Sequence, residues 1–434
     1  MIPKRAPSYQ ATSERLTRHV RSGRVNVPCG LLALLVFASL TGCAEAETMY
    51  VSVWTDRPEV AAYLEQYNAG QARFRAGVEL VDSVADSLQQ RDDHPDLVVG
   101  SFLANETTLP LMRDLSRTLD GVGAENFYAS LLEFGTVDGE VRLLPVSFNL
   151  PTVMFAANSD NAELPEFALS LEQIRDAGGA FNAREDESYV RMGFSPRWNG
   201  AFLYTVARLY GVAFHEGEER FATWDHGALS STVSFLRDWT ETTNGGITAE
   251  DSFERQYLYD PPYQLLRRGR IRFSFVGSNA YFGFTDGERS ALEFRWVSND
   301  SKVPIEEDLV LLGIPAESAN PAGARDLVKW FYEAETQEDL LRMVVSKQLS
   351  TFGIAGGFSA FPEVNELVFP RVYPALLGRI PPESRLTPPR LVPKNWGEIK
   401  EDVVYPWFAS AVSDGTSQDA LERRIRSWVL QKGE

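Results

Sequence analysis

Met49-Tyr50-Val51-Ser52-Val53-Trp54-Thr55-Asp56-Arg57-Pro58 is the stretch on which the fold turns. Its first six residues are a β-branched and aromatic run that reads as a short strand, and Thr55 to Pro58 end it with turn and cap chemistry. Val60, Ala61, Tyr63, Leu64 and Tyr67 then recur at helical spacing, so the unit is strand, turn, helix. The pattern repeats downstream. Val78 to Val81 reads as a second strand, Val84 to Gln90 as a polar helix and Leu97 to Gly100 as a third strand. Strands alternating with helices imply an α/β fold with a parallel sheet covered on both faces. In such sheets ligands sit beyond the carboxyl ends of the strands, which singles out Trp54, Asp56 and Ser101 as candidate ligand contacts. Two of them have plainer readings as well: Trp54 as a core aromatic, Asp56 as a helix N-cap.

Upstream, Leu31 to Leu40 is an apolar run of about 10 residues, too short for a bilayer of ~30 Å. It is preceded by Arg15, Arg18, Arg21 and Arg24 and closed by Leu40-Thr41-Gly42-Cys43. This is the pattern of a removable export signal with a lipobox. Residues 1–43 are expected to be a lipoprotein signal, with Cys43 as the lipid-bearing first residue of the mature chain. The remainder is then expected outside the cytoplasm, tethered to a membrane. The chain contains two cysteines, Cys29 and Cys43, so no internal disulfide is available to the mature protein and its stability must come from core burial.

Of 434 residues, 42 are Lys or Arg and 60 are Asp or Glu. Removal of the signal leaves a charge near -23, which disfavours nucleic acid and anionic lipid as partners. About 390 residues exceed what one hydrophobic core usually serves, so two domains are expected. Catalysis finds little support in the motifs. The mature histidines, His94, His215 and His226, form no His-Glu-x-x-His arrangement and adjoin no Gly-x-Ser-x-Gly elbow. No catalytic residue, metal site or cofactor is therefore assigned. Asp92-Asp93-His94 with Asp96 could hold a hard cation, the plainer reading being a solvated turn.

Further along, Gly139 to Asn158 is a long extended run broken by Pro145 and Pro151, which suggests a crossing between sheets. From Leu169 to Leu236 the pattern turns mostly helical, and a second lobe is expected there. Strands are predicted at Ile271 to Val276 and Leu309 to Ile314, a helix from Pro321 through Arg342, and closing helices from Trp396 to about Phe408 and from Ser417 to about Leu430. Arg197-Trp198-Asn199 lies in a loop held by Pro196 before the long helix of the second lobe, so Trp198 and Asn199 are candidate ligand contacts. Trp224, Tyr257, Tyr259, Trp296 and Phe358 are weaker ones. Gly353 to Phe358 would allow close backbone approach to a ligand or form a simple turn.

Several segments together resemble the bacterial extracellular solute-binding proteins of carbohydrate ABC importers, the maltose-binding-protein-like group. They are the lipobox, Val53-Trp54-Thr55, Pro95 to Gly100, and Leu144-Pro145-Val146-Ser147-Phe148-Asn149. Gly313-Ile314-Pro315 with Asn320 to Phe331, and Trp396-Gly397-Glu398-Ile399 with Gly415 to Leu421, continue the series in the family's order. Phe155 to Asn158 departs from the family's Tyr-Asn-Lys, and the Pro-rich stretch 379–396 has no counterpart in its pattern. The resemblance implies two α/β lobes with a ligand cleft between them, a periplasmic-binding-protein-like fold that closes by hinge motion. It implies crossings near Asn149 to Pro151, near Phe282 to Phe284 and near Pro315. The first lobe is then 44–148 plus 285–315 and the second 149–284 plus 316–434. It also marks Asn149 as a candidate contact, along with Asn279 and Tyr281 in the turn Gly277-Ser278-Asn279-Ala280-Tyr281. A turn Asn and a packed Tyr are the plainer readings of that pair. The implied function is capture of a sugar or oligosaccharide by a monomeric receptor serving an ABC permease. The alternatives are a surface-tethered glycan hydrolase, or the same fold binding a polyamine, metal chelate or peptide.

Overall fold

The computed structural model describes residues 49–157, 163–217 and 221–432. The export segment and Cys43 lie outside these residues. Among the described residues no helix is long and apolar enough to cross a membrane.

Two sheets organise the chain. The first has six strands in the order Phe358–Ser359, Leu144–Phe148, Val310–Gly313, Leu97–Ser101, Met49–Thr55, Phe74–Leu80. Its Met49–Thr55 strand runs parallel to both neighbours, as the strand and helix alternation requires. Val310–Gly313 enters antiparallel to its neighbours, so the sheet is mixed where a parallel one was expected. The reason is topological: this strand arrives from the second lobe and not through a helical crossover. Pro145 cannot donate to the ladder, and the pairing with Val310–Gly313 shifts register beside it. The second sheet has four strands, Ser274–Gly277, Pro151–Ala156, Leu292–Ser298 and Ala168–Ser170.

The extended run divides between the two sheets at Asn149-Leu150, the crossing that its prolines suggested. The other crossings fall elsewhere than expected. Leu292–Ser298 pairs with Pro151–Ala156, so the chain stays with the second sheet through Ser298 and returns across Val303 to Asp308. Helix Pro321–Phe331 belongs with the first sheet: Gly323 sits against Val51 and Phe74 so closely that a Cβ would meet Val51 at 2.6 Å, and Asp326 accepts from the Tyr67 hydroxyl at 2.8 Å. The return to the second lobe runs through the Pro-rich segment, where Leu386–Thr387 pairs in parallel with Val303–Pro304. That is the physical role of the stretch for which the family pattern offered no counterpart.

Other elements also differ in detail. The predicted helix from Pro321 is two helices, Pro321–Phe331 and Ala334–Ser346, the first capped by the Asn320 side chain on Gly323 N. The segment from Trp396 contains a π-helical turn, Lys400–Val404, between Trp396–Ile399 and Tyr405–Asp414. Asp96 is not a cation ligand: its carboxylate accepts from Ser52 N at 2.9 Å, Ser318 Oγ at 2.9 Å and Asn320 N at 2.6 Å, tying the first strand to the loop before helix Pro321–Phe331.

The lobes share a core on the hinge side. Phe294 and Trp296 of the second sheet pack with Phe358 of the first, the Trp296 and Phe358 rings lying 5.8 Å apart. Phe282 stacks on Phe352 at 4.8 Å, and Tyr373 closes the group.

Candidate functional site

Beside this joint the lobes enclose two cavities that meet at Asn279, which lines both. One, of about 890 Å³, lies between the turn Asp56 to Glu59, the segment Lys347 to Phe352 and the short helix carrying Asn279. The other, of about 650 Å³, lies between Phe102, helix Gly200–Leu209, the crossing Glu306 to Asp308 and the π-helical turn with Lys400.

The turn after the first strand is built by its own side chains. Thr55 Oγ1 accepts from Arg57 N at 3.0 Å, and Asp56 Oδ2 accepts from Ser101 N at 3.0 Å, joining the ends of two parallel strands. Asp56 is therefore not an N-cap; Glu59 occupies that position without a side-chain cap. Arg57 pairs with Asp56 at 3.2 Å and donates to Ser101 Oγ, which donates to the carbonyl of Asp308 at 3.2 Å. Burial pushes the Asp56 carboxyl above its ordinary range, with Arg57 opposing.

Three consecutive acids form the crossing. Glu306 N donates to Asn149 O at 2.9 Å, so two crossings are bonded to each other. Glu307 is buried and accepts from Tyr204 Oη and, at 3.0 Å, from Trp396 Nε1; Lys400 Nζ lies at 3.2 Å and Arg208 Nε at 3.8 Å. Burial disfavours the Lys400 ammonium, yet Glu307, Tyr405 and Asp308 together offset this and its pKa stands above the ordinary value. Glu306 has no such neighbourhood. Burial, reinforced by Asp308 and only partly opposed by Lys400 and Arg208, pushes its carboxyl up to about 8. A carboxyl with a folded pKa above its unfolded 4.5 adds most to stability below about pH 4.5, and that contribution is lost as pH rises towards 8. The unfolding midpoint of the wild type relative to Glu306→Gln is thus expected to fall between about pH 5 and pH 8.5. A difference that stays constant across that range would contradict this.

Backbone strain collects on the same wall. Phe102 follows the third strand with φ 55°, a left-handed conformation costly for a bulky residue and most often found where function requires it. Its ring fits against Gly397, where a Cβ would lie 3.2 Å from Cε2, and beneath the Lys400 ammonium at 5.8 Å. Lys400 opens the π-helical turn, a feature that often marks functional sites. Phe102 thus reaches from the first lobe to the second. Lys394 Nζ to Asp86 Oδ1 at 2.8 Å and Glu106 N to Glu216 Oε2 at 3.1 Å make the same crossing.

Of the residues singled out from sequence, Asp56 and Asn279 line a cavity, and Ser101 is bonded to Asp56, Arg57 and Asp308 beside it. Asn149 lies at the seam with its amide committed, Nδ2 to Gly356 O at 3.0 Å and Oδ1 from Ser278 Oγ at 2.8 Å. The others are placed elsewhere. Trp54 is 3% exposed and its ring is covered by the Arg91 guanidinium at 4.0 Å, which is the core reading. Trp198 stacks on Phe253 at 5.6 Å and lines neither cavity. Asn199 caps helix Gly200–Leu209 through Phe202 N at 3.1 Å. Tyr281 is buried with its hydroxyl on Leu292 O at 3.4 Å, and burial pushes its pKa up to about 12. Arg57, Phe102, Glu306, Glu307 and Lys400 were not anticipated. One signal could have found the acids: Glu306-Glu307-Asp308 interrupts two apolar runs, Val303 to Ile305 and Leu309 to Leu312.

No protein-family model and no curated protein sequence matches this chain. Solved structures do match, over nearly the whole of both partners. The sugar-binding protein MalE from the phytopathogen Xanthomonas citri is 11% identical, with a TM-score of 0.64 over 88% of this chain and 99% of its own. The cyclic alpha-maltosyl-1,6-maltose binding protein from Arthrobacter globiformis is 15% identical, with a TM-score of 0.62 over 88% and 98%. An ABC substrate-binding protein from Listeria monocytogenes in complex with cycloalternan is 12% identical, with a TM-score of 0.59 over 89% and 100%. This chain has the two-lobed α/β fold of the MalE-like sugar-binding proteins.

Proposed function

We propose that this chain is a lipid-anchored extracytoplasmic receptor that captures a sugar or oligosaccharide between its lobes and presents it to an ABC permease, without turning it over. The observation that carries the reading is the pair of contiguous cavities at Asn279, in a fold whose solved examples are named for the sugars they bind. Their lining suits a saccharide. Phe102 and Tyr405 contribute aromatic side chains, while Asp56, Asn279 and Glu306 contribute hydrogen-bonding groups for hydroxyls. The anchor rests on Leu40 to Cys43, and tethering would raise the receptor's local concentration beside a permease.

The test is a panel of mono-, di- and oligosaccharides read by calorimetry and thermal shift. A ligand at about 100 times its Kd should stabilise the protein by about 2.7 kcal/mol, and prolonged incubation should release no new reducing ends. Failure of every saccharide to bind the folded chain would overturn the reading. Hydrolysis abolished by one Asp or Glu substitution would replace it with the glycan hydrolase.

A further inference from the structure

We propose that the captured saccharide carries a positively charged amino group, and that Glu306 on the cleft floor is the residue that reads it. This rests on the saccharide reading of the cleft and narrows it to amino sugars.

Among the described residues the Glu306 carboxylate forms no hydrogen bond and no ion pair. Its side chain is partly exposed to the smaller cavity that it lines. It stands over Gly277, where a Cβ would come within 3.2 Å of Oε1, and beside Asn279 at the junction of the two cavities. The basic groups within reach are engaged elsewhere: Lys400 and Arg208 face Glu307, and Arg57 pairs with Asp56. Asp308, the next acid on the crossing, repels Glu306, and its own Oδ1 is buried without a hydrogen-bond partner. Tyr405, on the facing helix, adds no positive charge. Three acids and two basic residues line the larger cavity, five and two the smaller, so the whole cleft is net negative.

A neutral hydroxyl could be recognised as well by Gln. Only a cationic group gains from an ionisable carboxyl here, by drawing off its proton and forming a charge-assisted hydrogen bond. The elevated pKa of Glu306 agrees with this, since it records how poorly the protein alone stabilises the charge. The aromatic side chains of Phe102 and Tyr405 in the same lining favour an amine borne on a sugar ring over a linear polyamine.

The experiment is calorimetry on the full chain with glucosamine oligomers, from dimer to tetramer, against the same oligomers N-acetylated, at neutral pH and two salt concentrations. Free-amine forms are expected to bind about tenfold tighter or better, the scale of one hydrogen bond to a charged group. Their advantage should shrink with added salt. In Glu306→Gln, shown folded by its melting curve, the preference is expected to fall below about threefold. Equal affinity of acetylated and free forms in the wild type, or a preference retained in Glu306→Gln, would overturn the inference and leave the saccharide reading standing. Binding of spermidine with no saccharide bound would overturn both.

Discussion

Glu307→Ala is expected to destabilise the protein by about 3–5 kcal/mol, the usual cost of removing one partner from a buried charge cluster. Four groups converge on this carboxylate, each from a distant part of the chain: Tyr204 Oη, Trp396 Nε1 at 3.0 Å, Lys400 Nζ at 3.2 Å and Arg208 Nε at 3.8 Å. Without it the Lys400 ammonium loses the first of the neighbours that offset its burial, and the Trp396 indole keeps only the Tyr204 hydroxyl at 3.0 Å. Glu307→Gln should cost less, because its amide oxygen can still accept from Trp396 at the Oε2 position while its NH2 donates to the Tyr204 hydroxyl, but it leaves Lys400 without a counter-ion. Urea denaturation of the two variants beside the wild type measures both. A loss under about 1 kcal/mol for Glu307→Ala would place the cluster among solvated surface pairs and remove it as an anchor of the crossing.

That cluster also shows where sequence reading stops. The strand starting at Met49, the helix Val60–Gly70 and the crossing at Asn149 were legible because each is written in local chemistry: β-branched runs, a helical period of apolar residues, two prolines. Asp56 and Ser101 were legible because strand ends in α/β sheets face ligands. Trp54 shares that strand end, yet its ring lies under Arg91. Strand position alone does not say which side chains the neighbouring helices cover. Asn279 and Tyr281 are two residues apart on one short helix, about 200° around its axis, so one lines the cavities and the other enters the core. Trp198 needed a flat neighbour in space, and Phe253 supplies one from 55 residues away, a pairing no local pattern records. The acids of the crossing gain their character from Arg208, Trp396 and Lys400, all contributed by remote segments.

The aromatic joint on the hinge side carries the second large effect. Trp296→Ala is expected to cost about 3–5 kcal/mol, the range for truncating a large aromatic in a packed core. The indole is 0% exposed, meets Phe294 at 4.9 Å and Phe358 at 5.8 Å, and donates from Nε1 to Arg379 O at 2.6 Å. Trp296→Phe preserves most of the packing and leaves that carbonyl without its donor, so about 1–3 kcal/mol is expected. The difference between the two variants separates packing from hydrogen bonding. Trp296 belongs to the second sheet, Phe358 to the first, and Arg379 to the segment that returns between them, so this cavity would open in the material joining the lobes. Hinge motion about such a joint requires that it stay packed while the cleft widens. Trp296→Ala should therefore loosen the joint as well as destabilise it, seen as a larger radius of gyration by solution scattering and a weaker ligand-induced contraction than in Trp296→Phe. If Trp296→Ala lost stability but contracted on ligand binding as the wild type does, the joint would be a shared core and not the pivot, and the crossing at Glu306 to Asp308 would have to bear the motion.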